Sequence, residues 1–411
     1  MANTAISNVS SILISGASIA GPTLAYWLSR YGFDVTVVER SKAVRNSGYP
    51  VDVRGTAVDV AEQMGIYDHL QQKNIHSEKA TFLHPDGSTA GVIQPIMLTG
   101  GSADRDIDLP RGDLTAALYN ATLQQPTIAY RFDDSISQLH EEEDGVHVVF
   151  QSGQQEIFDL VIGADGTHSN TRRFLFGDEA PFSRYLGYCF GGFTVPNRLQ
   201  LAYETVVYAL PGRYAILSVV KDSDYAHAFL NVATSDEPPI DYRDTDQQRR
   251  YLAEHFVGDG WIVPELVEHM LKADDFYFDT VSQIHLPSWH KGRVALVGDA
   301  AYAPSFLTGQ GSSVAMVGAY ILAGELAVHT NYEEAFVSYE HIMRPFAERN
   351  QALANQASFM MPRTQEDMAA RNQLLDALTT SDTPAMPGDD SGVVHRSLQL
   401  PDYSSVLQDG K

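Results

Sequence analysis

The chain has 411 residues, of which 44% are hydrophobic, and this length and composition allow two domains with a sizeable core. Lys and Arg number 28 against 52 Asp and Glu, and the resulting net charge of −24 disfavours nucleic acid and anionic membrane surfaces as partners. Cys189 is the single cysteine, which excludes a disulfide within the chain and a cysteine-based zinc site. With no signal-peptide pattern and no segment read as transmembrane, we expect a cytoplasmic protein.

Residues 11–40 predict a strand, a helix and a second strand. An apolar run at 11–15 stops at a glycine, helical spacing follows over 19–31, and a β-branched run covers 35–38. This order is typical of a dinucleotide-binding unit, although an ordinary βαβ unit with a glycine-rich turn has the same pattern.

The glycines of this unit predict its chemistry. Gly16 makes the turn, and Gly21 lets the helix approach the strand. The middle glycine of the usual G-x-G-x-x-G fingerprint is replaced by Ser18, whose hydroxyl can donate to a phosphate. Glu39 follows Gly16 by 23 positions, about the distance at which an acid meets the ribose of a dinucleotide.

Two later stretches each predict an apolar strand that is followed by a glycine and an aspartate. The strand at 160–162 runs into Asp165-Gly166, and the strand at 294–297 ends at Gly298-Asp299. In an open parallel sheet such strand ends line the ligand crevice. The loop Gly309-Gln310-Gly311 then opens an alanine-rich helix, where backbone amides can hold a flavin edge or a phosphate.

Residues 181–282 change to strand patterns that predict an antiparallel meander. The strands are predicted at 186–195, 201–210, 213–220 and 225–234, with a smaller pair at 79–83 and 89–93 that can join the same sheet. His227 and Phe229 share one face of the last strand, and Tyr208 and Tyr214 lie across a turn from each other. We predict that these four residues contact the substrate; for His227 the alternative is a histidine on a sheet without a functional role.

The three ordered motifs resemble those of the group A flavoprotein monooxygenases, the p-hydroxybenzoate hydroxylase family, over roughly residues 11–375. In layout the chain is most similar to the tetracycline-inactivating members and the polyketide hydroxylases. The resemblance implies an α/β fold: a Rossmann-like FAD-binding domain of the glutathione-reductase type, an antiparallel β-sheet substrate domain and a C-terminal bridging helix. It also implies that Arg111 contacts FAD and that Arg54 lies beside the isoalloxazine ring.

The FAD-binding residues implied by the motifs are Gly16, Ser18, Gly21, Glu39, Arg40, Arg54, Arg111, Asp165, Asp299, Gly309, Gln310 and Gly311. No single catalytic residue is assigned, and Arg54 and His227 are the candidates. The 14 histidines show no HxH or HExxH spacing, so we expect no metal site.

The expected domains are discontinuous. The FAD-binding domain takes 1–75, 101–180 and 283–332, and the substrate domain takes 76–100 and 181–282. A helical segment is expected at 333–376, and a tail at 377–411 that is mobile at first and can dock back near its end.

The resemblance implies an enzyme that uses non-covalent FAD, O2 and a transiently bound NAD(P)H, and that hydroxylates an aromatic or polycyclic small molecule through a C4a-hydroperoxyflavin. A reductase of the geranylgeranyl reductase type and a flavin- or ligand-binding protein without turnover stay as alternatives. A flavin-dependent halogenase is disfavoured, because none of the three tryptophans lies in a W-x-W-x-I-P motif. We expect a monomer or a homodimer.

Overall fold

The computed structural model describes residues 9–44, 49–95, 105–219, 223–241, 243–356, 361–380 and 391–407. The strands, in chain order, are β1 (Ser11–Ser15), β2 (Asp34–Glu39), β3 (Pro50–Val53), β4 (Lys79–Leu83), β5 (Thr89–Ile93), β6 (Ile107–Pro110), β7 (Ile128–Phe132), β8 (Ile136–Glu142), β9 (Gly145–Phe150), β10 (Gln155–Phe158), β11 (Leu160–Gly163), β12 (Ser183–Pro196), β13 (Glu204–Leu210), β14 (Arg213–Ser218), β15 (Tyr225–Ala233), β16 (Tyr277–Ile284), β17 (His290–Lys291) and β18 (Val294–Leu296).

The α-helices of the described residues are α1 (Ala20–Arg30), α2 (Thr56–Gln63), α3 (Tyr67–Gln71), α4 (Arg111–Thr122), α5 (Asn170–Phe176), α6 (Thr245–His255), α7 (Val263–Met270), α8 (Asp299–Tyr302), α9 (Gly311–Val328), α10 (Tyr332–Ala352), α11 (Gln365–Thr380) and α12 (Ser391–His395). Short 3₁₀ turns lie at Phe306–Thr308, Leu353–Gln356 and Ser404–Val406.

The first sheet has the order β17-β18-β11-β1-β2-β7, and all its neighbours are parallel except the β17–β18 pair. Strands β1 and β11 are apolar along almost their whole length and almost wholly buried, as a parallel sheet covered on both faces requires. The three predicted strand ends, after β1, β11 and β18, therefore meet at one edge of this sheet.

Helices α1 and α9 pack on each other beside this sheet. Helix α9 is apolar on all sides and, contrary to the expectation from the sequence, is long and apolar enough to span a membrane. However, 89% of it is buried inside the protein, as is typical of a helix in the core of a globular domain. Its packing against α1 places the loop before α9 next to the glycine turn after β1.

The second sheet has the order β16-β12-β15-β14-β13-β4-β5. The pair β4–β5 extends the predicted meander, and β4 runs parallel to β13 while the other neighbours are antiparallel. Helices α6 and α7 pack on one face of this sheet. The opposite face carries aromatic side chains and contacts residues from the first-sheet side of the molecule.

The C-terminal region differs from the expected helical segment and tail. Helix α11 continues to Thr380, beyond the expected boundary at 377, and it packs on β5. Residues 391–407 are ordered against the body: buried Tyr403 donates its hydroxyl to Glu325 Oε1 at 2.5 Å, and Tyr320 donates to the Pro401 carbonyl at 2.9 Å. The rest of the expected tail, 381–390 and 408–411, lies outside the described residues.

Candidate active site

The turn after β1 leaves no room for a side chain at Gly16 or at Gly21. Gly16 has a φ of +110°, and a Cβ there would lie 2.4 Å from the Ala164 carbonyl oxygen. A Cβ on Gly21 would lie 1.9 Å from the Gly16 oxygen. The Ala17 amide donates to Glu39 Oε2 at 2.9 Å, so the acid after β2 reaches the turn. This is the backbone cradle that a dinucleotide requires.

Ser18 and Arg111 are brought together across 93 residues of sequence. An Arg111 guanidinium nitrogen donates to Ser18 Oγ at 2.9 Å, just before the start of α1. Arg111 is the first residue of α4 and directly follows Pro110 at the N-cap. A cation and a hydroxyl therefore lie together at a helix N-terminus, a donor set that suits a pyrophosphate.

Asp299 lies at the end of β18, close to the loop before α9. A Cβ on Gly311 would lie 3.9 Å from Asp299 Oδ1, so the two predicted motifs meet. Within the described parts of the chain, the half-buried Asp299 carboxylate accepts no hydrogen bond. Burial raises the pKa of Asp299, and the positive charge of Arg111 acts in the opposite direction. A carboxylate without donors fits the hydroxyls of a polyol chain.

The loop Gly309-Gln310-Gly311 is held by its own backbone and by the strand β3. Gly309 has a φ of +65°, and a Cβ there would lie 2.9 Å from Asp52 Oδ2. Gln310 is buried at the start of α9. Ser313 in the first turn accepts from the Arg54 amide and donates to the Asp52 carbonyl, both at 3.1 Å. These bonds attach β3 to the α9 N-terminus.

Arg54 is the centre of a buried charge cluster. It is 5% exposed and pairs with Asp52 at 3.1 Å, with Asp106 at 4.0 Å and with Asp108. Burial and the neighbouring Asp52 charge raise the pKa of Asp108 to about 7. Asp59, which is also near Arg54 in the sequence, pairs instead with Arg105 at 2.9 Å.

Asp165 is bonded to the helix that follows it. Its carboxylate accepts from the Thr171 amide at 2.9 Å, from the Thr171 hydroxyl at 3.0 Å and from the Ser169 hydroxyl at 2.5 Å. A contact of this carboxylate with FAD would compete with these bonds.

Arg40, which was also predicted to bind FAD, is exposed beside Glu39.

A cavity of about 220 Å³ lies beside the turn that contains Asp165, lined in part by His168, Arg173, Glu237 and Asp279. The His168 ring contacts Asp279 at 3.4 Å and Glu179 at 2.9 Å. Hydrogen bonds to these two carboxylates raise the pKa of His168 to about 10, against the effect of burial. The ring therefore links the turn after β11 to strand β16.

Five aromatic rings from distant parts of the chain form an aromatic chamber, defined by Tyr49, Phe190, Phe229, Tyr277 and Phe306. Phe190 and Phe306 stack with centroids 4.4 Å apart. Tyr49 meets Phe190, Phe229 and Phe306 edge to face at 6.3, 5.9 and 5.7 Å. The chamber joins the second sheet to the residues before β3 and to the turn before α9, and its rings form a contiguous aromatic surface.

The predicted substrate residues do not all reach this chamber. Phe229 belongs to it, and Tyr214 lies on the same face of the sheet. His227 is half-buried two residues from Phe229 on that face, and burial lowers its pKa. Tyr208, also predicted to contact the substrate, lies on the opposite face, stacked on Trp261, because its position on β13 alternates away from the chamber.

Sequence reasoning missed four of the five chamber rings. Phe190 is the cross-strand neighbour of Asn231, which follows Phe229 by two positions, so strand pairing was the signal for it. Tyr49 and Phe306 sit in loops outside the predicted sheet, and nothing in their local pattern distinguishes them.

The model of the FAD binding domain family matches residues 9–354. The chain belongs to this family. A flavin-dependent monooxygenase from an unknown prokaryotic organism is 39% identical over 399 residues, covering 95% of this chain and 98% of that relative. A flavin-dependent monooxygenase from Legionella longbeachae serogroup 1 is 37% identical over 341 residues, covering 83% and 86%. The crystal structure of the tetracycline destructase Tet(55) superposes with a TM-score of 0.82 at 36% identity, covering 97% and 100%.

This member of the FAD binding domain family is an FAD-dependent monooxygenase and therefore an oxidoreductase. The predicted fold, of the p-hydroxybenzoate hydroxylase type, and the predicted enzyme class are both confirmed. The cradle at Gly16, the Ser18–Arg111 pair and the unbonded Asp299 carboxylate fit the turn, the pyrophosphate and the ribityl chain of FAD.

Proposed function

We propose that this enzyme consumes NAD(P)H and hydroxylates an aromatic or polycyclic small molecule of the tetracycline or polyketide kind. The observation that carries this proposal is the aromatic chamber, whose Phe306 lies in the loop that leads to Gly309-Gln310-Gly311. A flat substrate that packs against these rings would lie next to the expected flavin ring. The likeness to Tet(55), named a tetracycline destructase, supports a polycyclic substrate.

FAD, when bound, supplies the electron transfer and the activation of oxygen. The chain supplies binding and orientation: Glu39 toward the ribose, Ser18 and Arg111 toward the pyrophosphate, and Asp299 toward the ribityl hydroxyls. The backbone amides at the start of α9 would hold the flavin edge. All these contacts with FAD would be non-covalent. NAD(P)H, in contrast, would bind only transiently.

The buried rings of the chamber exclude water and position the substrate, whereas Tyr277 is 41% exposed. Phe190 and Phe229 are buried, so an oxygen-transferring centre beside them is shielded from solvent. His227 is neutral at pH 7, because burial lowers its pKa, and a neutral imidazole can both donate and accept a hydrogen bond. Arg54 neutralises part of the acidic cluster next to the Gly309 loop and fixes the position of β3.

The test is oxygen-dependent NAD(P)H oxidation by the purified yellow protein, with and without tetracycline. We expect tetracycline to stimulate the oxidation. Phe190→Leu, which removes a chamber ring, should reduce the stimulation about tenfold or more. The matched control Tyr208→Phe alters a ring environment on the opposite face of the same sheet and should leave the stimulation unchanged. Equal effects of the two variants would refute the chamber as the substrate site.

The alternatives give different results in the same assay. A saturating reductase consumes NAD(P)H without placing oxygen in the product, and a ligand-binding protein consumes none. We further propose a cytoplasmic location and a monomer or homodimer. The net charge of −24 is in keeping with this, because it disfavours binding to phosphate groups and to anionic lipid.

A further inference from the structure

A buried amide on the chamber side of the second sheet has no hydrogen-bond partner. Asn231 is 1% exposed, and both its side-chain nitrogen and its side-chain oxygen lack a partner among the described residues. It lies on β15 between Phe229 and Ala233, and its cross-strand neighbours are Phe190 on β12 and Tyr214 on β14. Because neither amide atom is bonded, the conclusion does not depend on which way the amide is turned.

An unpaired amide in this position destabilises the folded protein, and an apolar residue of the same shape would fit better. The surrounding face offers apolar contacts from Phe190, Phe229 and Met368. The Asn231 amide lowers the stability of the free enzyme, and it lies beside the proposed substrate chamber. Its presence there is explained if a bound ligand completes its hydrogen bonds.

Arg371 on α11 is a second buried polar group with unused bonding capacity. It is 2% exposed, and one terminal nitrogen has no partner in the part of the chain that the structure describes. Its other nitrogens contact the neutral Asn372 Oδ1 at 3.2 and 3.4 Å, and its guanidinium lies 5.6 Å from the centre of the Phe82 ring. In the described residues it forms no ion pair, although acids outnumber bases almost two to one in this chain.

Both groups approach Tyr214. Asn231 is its cross-strand neighbour, and the positive charge of Arg371 acts on its phenol against the effect of burial. The phenols themselves are already engaged: Tyr214 donates to the Pro362 carbonyl at 2.5 Å, and Tyr188 donates to the Met361 carbonyl at 3.1 Å. The amide and the guanidinium are therefore the groups left to meet a polar part of a ligand.

We propose that Asn231 and Arg371 determine substrate specificity by binding an ionised oxygen, a phenolate, enolate or carboxylate, that lies next to a hydrogen-bonding group on the aromatic substrate. A guanidinium without a counter-ion among the described residues favours an anion, and the Asn231 amide, which shares the neighbour Tyr214 with Arg371, offers both a donor and an acceptor to a second polar group. The inference rests on the proposed function, since it names the substrate class of that same chamber.

The experiment measures binding to the oxidised holoenzyme by perturbation of the flavin spectrum, so that it requires no turnover. The probes are 1-hydroxy-2-naphthoic acid, which carries a carboxylate next to a hydroxyl, and 1-naphthol, which lacks the carboxylate. We expect the wild type to bind the acid about tenfold or more tightly than the naphthol. Arg371→Met should abolish this preference, and the charge-conserving Arg371→Lys should retain part of it.

Asn231→Leu adds a readout that a purely structural asparagine would not give. It should weaken binding of the acid about tenfold and raise the melting temperature by about 2 °C, because an unpaired amide is replaced by an apolar group. Equal binding of the two probes by the wild type, an unchanged preference in Arg371→Met, or a less stable Asn231→Leu each overturns the proposal. If the preference holds but NAD(P)H oxidation is absent, the proposed function fails and this inference stands.

Discussion

Replacing Asp299 by asparagine should weaken FAD binding while sparing the fold. Its carboxylate accepts no hydrogen bond in the described residues, and burial raises its pKa, so ionised Asp299 destabilises the FAD-free protein. The sign follows from linkage: a carboxyl with a raised folded-state pKa stabilises the fold at low pH, and this contribution is lost as the pH rises through the folded-state pKa. At pH 7 the neutral asparagine removes the penalty.

The effect on the cofactor has the opposite sign. A charge-assisted hydrogen bond from a ribityl hydroxyl contributes roughly 1.5–3 kcal/mol, which is about 10- to 150-fold in the dissociation constant of FAD. FAD affinity is measured by titrating the FAD-free protein and following flavin fluorescence, and stability by thermal unfolding of the same sample. We expect weaker FAD binding together with an equal or higher melting temperature for Asp299→Asn.

Asp165→Asn is the matched control, because it changes the other motif acid. The Asp165 carboxylate accepts three hydrogen bonds from the start of α5, so this variant should lower the melting temperature and change FAD affinity less. An Asp299→Asn variant with unchanged FAD affinity, or one that loses stability as Asp165→Asn does, would refute the reasoning.

Three further predictions test the cofactor cradle and its surroundings. Gly21→Ala should cost about 3 kcal/mol or more, and no FAD should copurify, because the new Cβ would meet backbone at 1.9 Å; a stable yellow variant would contradict the close approach. Arg111→Met should weaken FAD binding roughly 10- to 150-fold in the same titration, and unchanged affinity would remove the pyrophosphate role. The bonds of His168 to Asp279 and Glu179 raise its pKa from 6.5 to about 10, so their stabilisation is full below pH 6.5 and is lost as the pH rises through about 10. His168→Asn should therefore lower the melting temperature more at about pH 6 than at about pH 10.5, and an equal loss at both would contradict the assignment.

The cofactor half of the site was readable because its requirements are mainly local. Gly21 is dictated by a backbone contact within one turn, whereas the close contact of Gly16 is with the Ala164 carbonyl just after the neighbouring strand β11; the strand ends after β11 and β18 follow from apolar runs that stop at glycine. The Ser18 departure is explained only by the structure, since its hydroxyl accepts from Arg111, which lies 93 residues away in the sequence.

The substrate half depends on strand register and on loops, which the pattern of one sequence does not fix. Alternation assigned His227 and Phe229 to one face, but the face of Tyr208 depended on the pairing of β13 with β14. Tyr49 and Phe306 reach the chamber from loops, and the unpartnered state of Asn231 appears only once every neighbour is placed. Arg54 was predicted to lie beside the flavin ring, and its three carboxylate partners come from residues up to 54 positions away.

The central claim is that the aromatic chamber delivers a substrate to a flavin that inserts oxygen into it. The direct measurement supplies the FAD-loaded enzyme with NAD(P)H, tetracycline and isotopically labelled O2, and analyses the product by mass spectrometry. We predict one labelled oxygen atom in the tetracycline product, formed in step with NAD(P)H consumption and reduced in Phe190→Leu. NAD(P)H consumption that yields a reduced, label-free product, or only peroxide at a rate independent of tetracycline, would contradict the account.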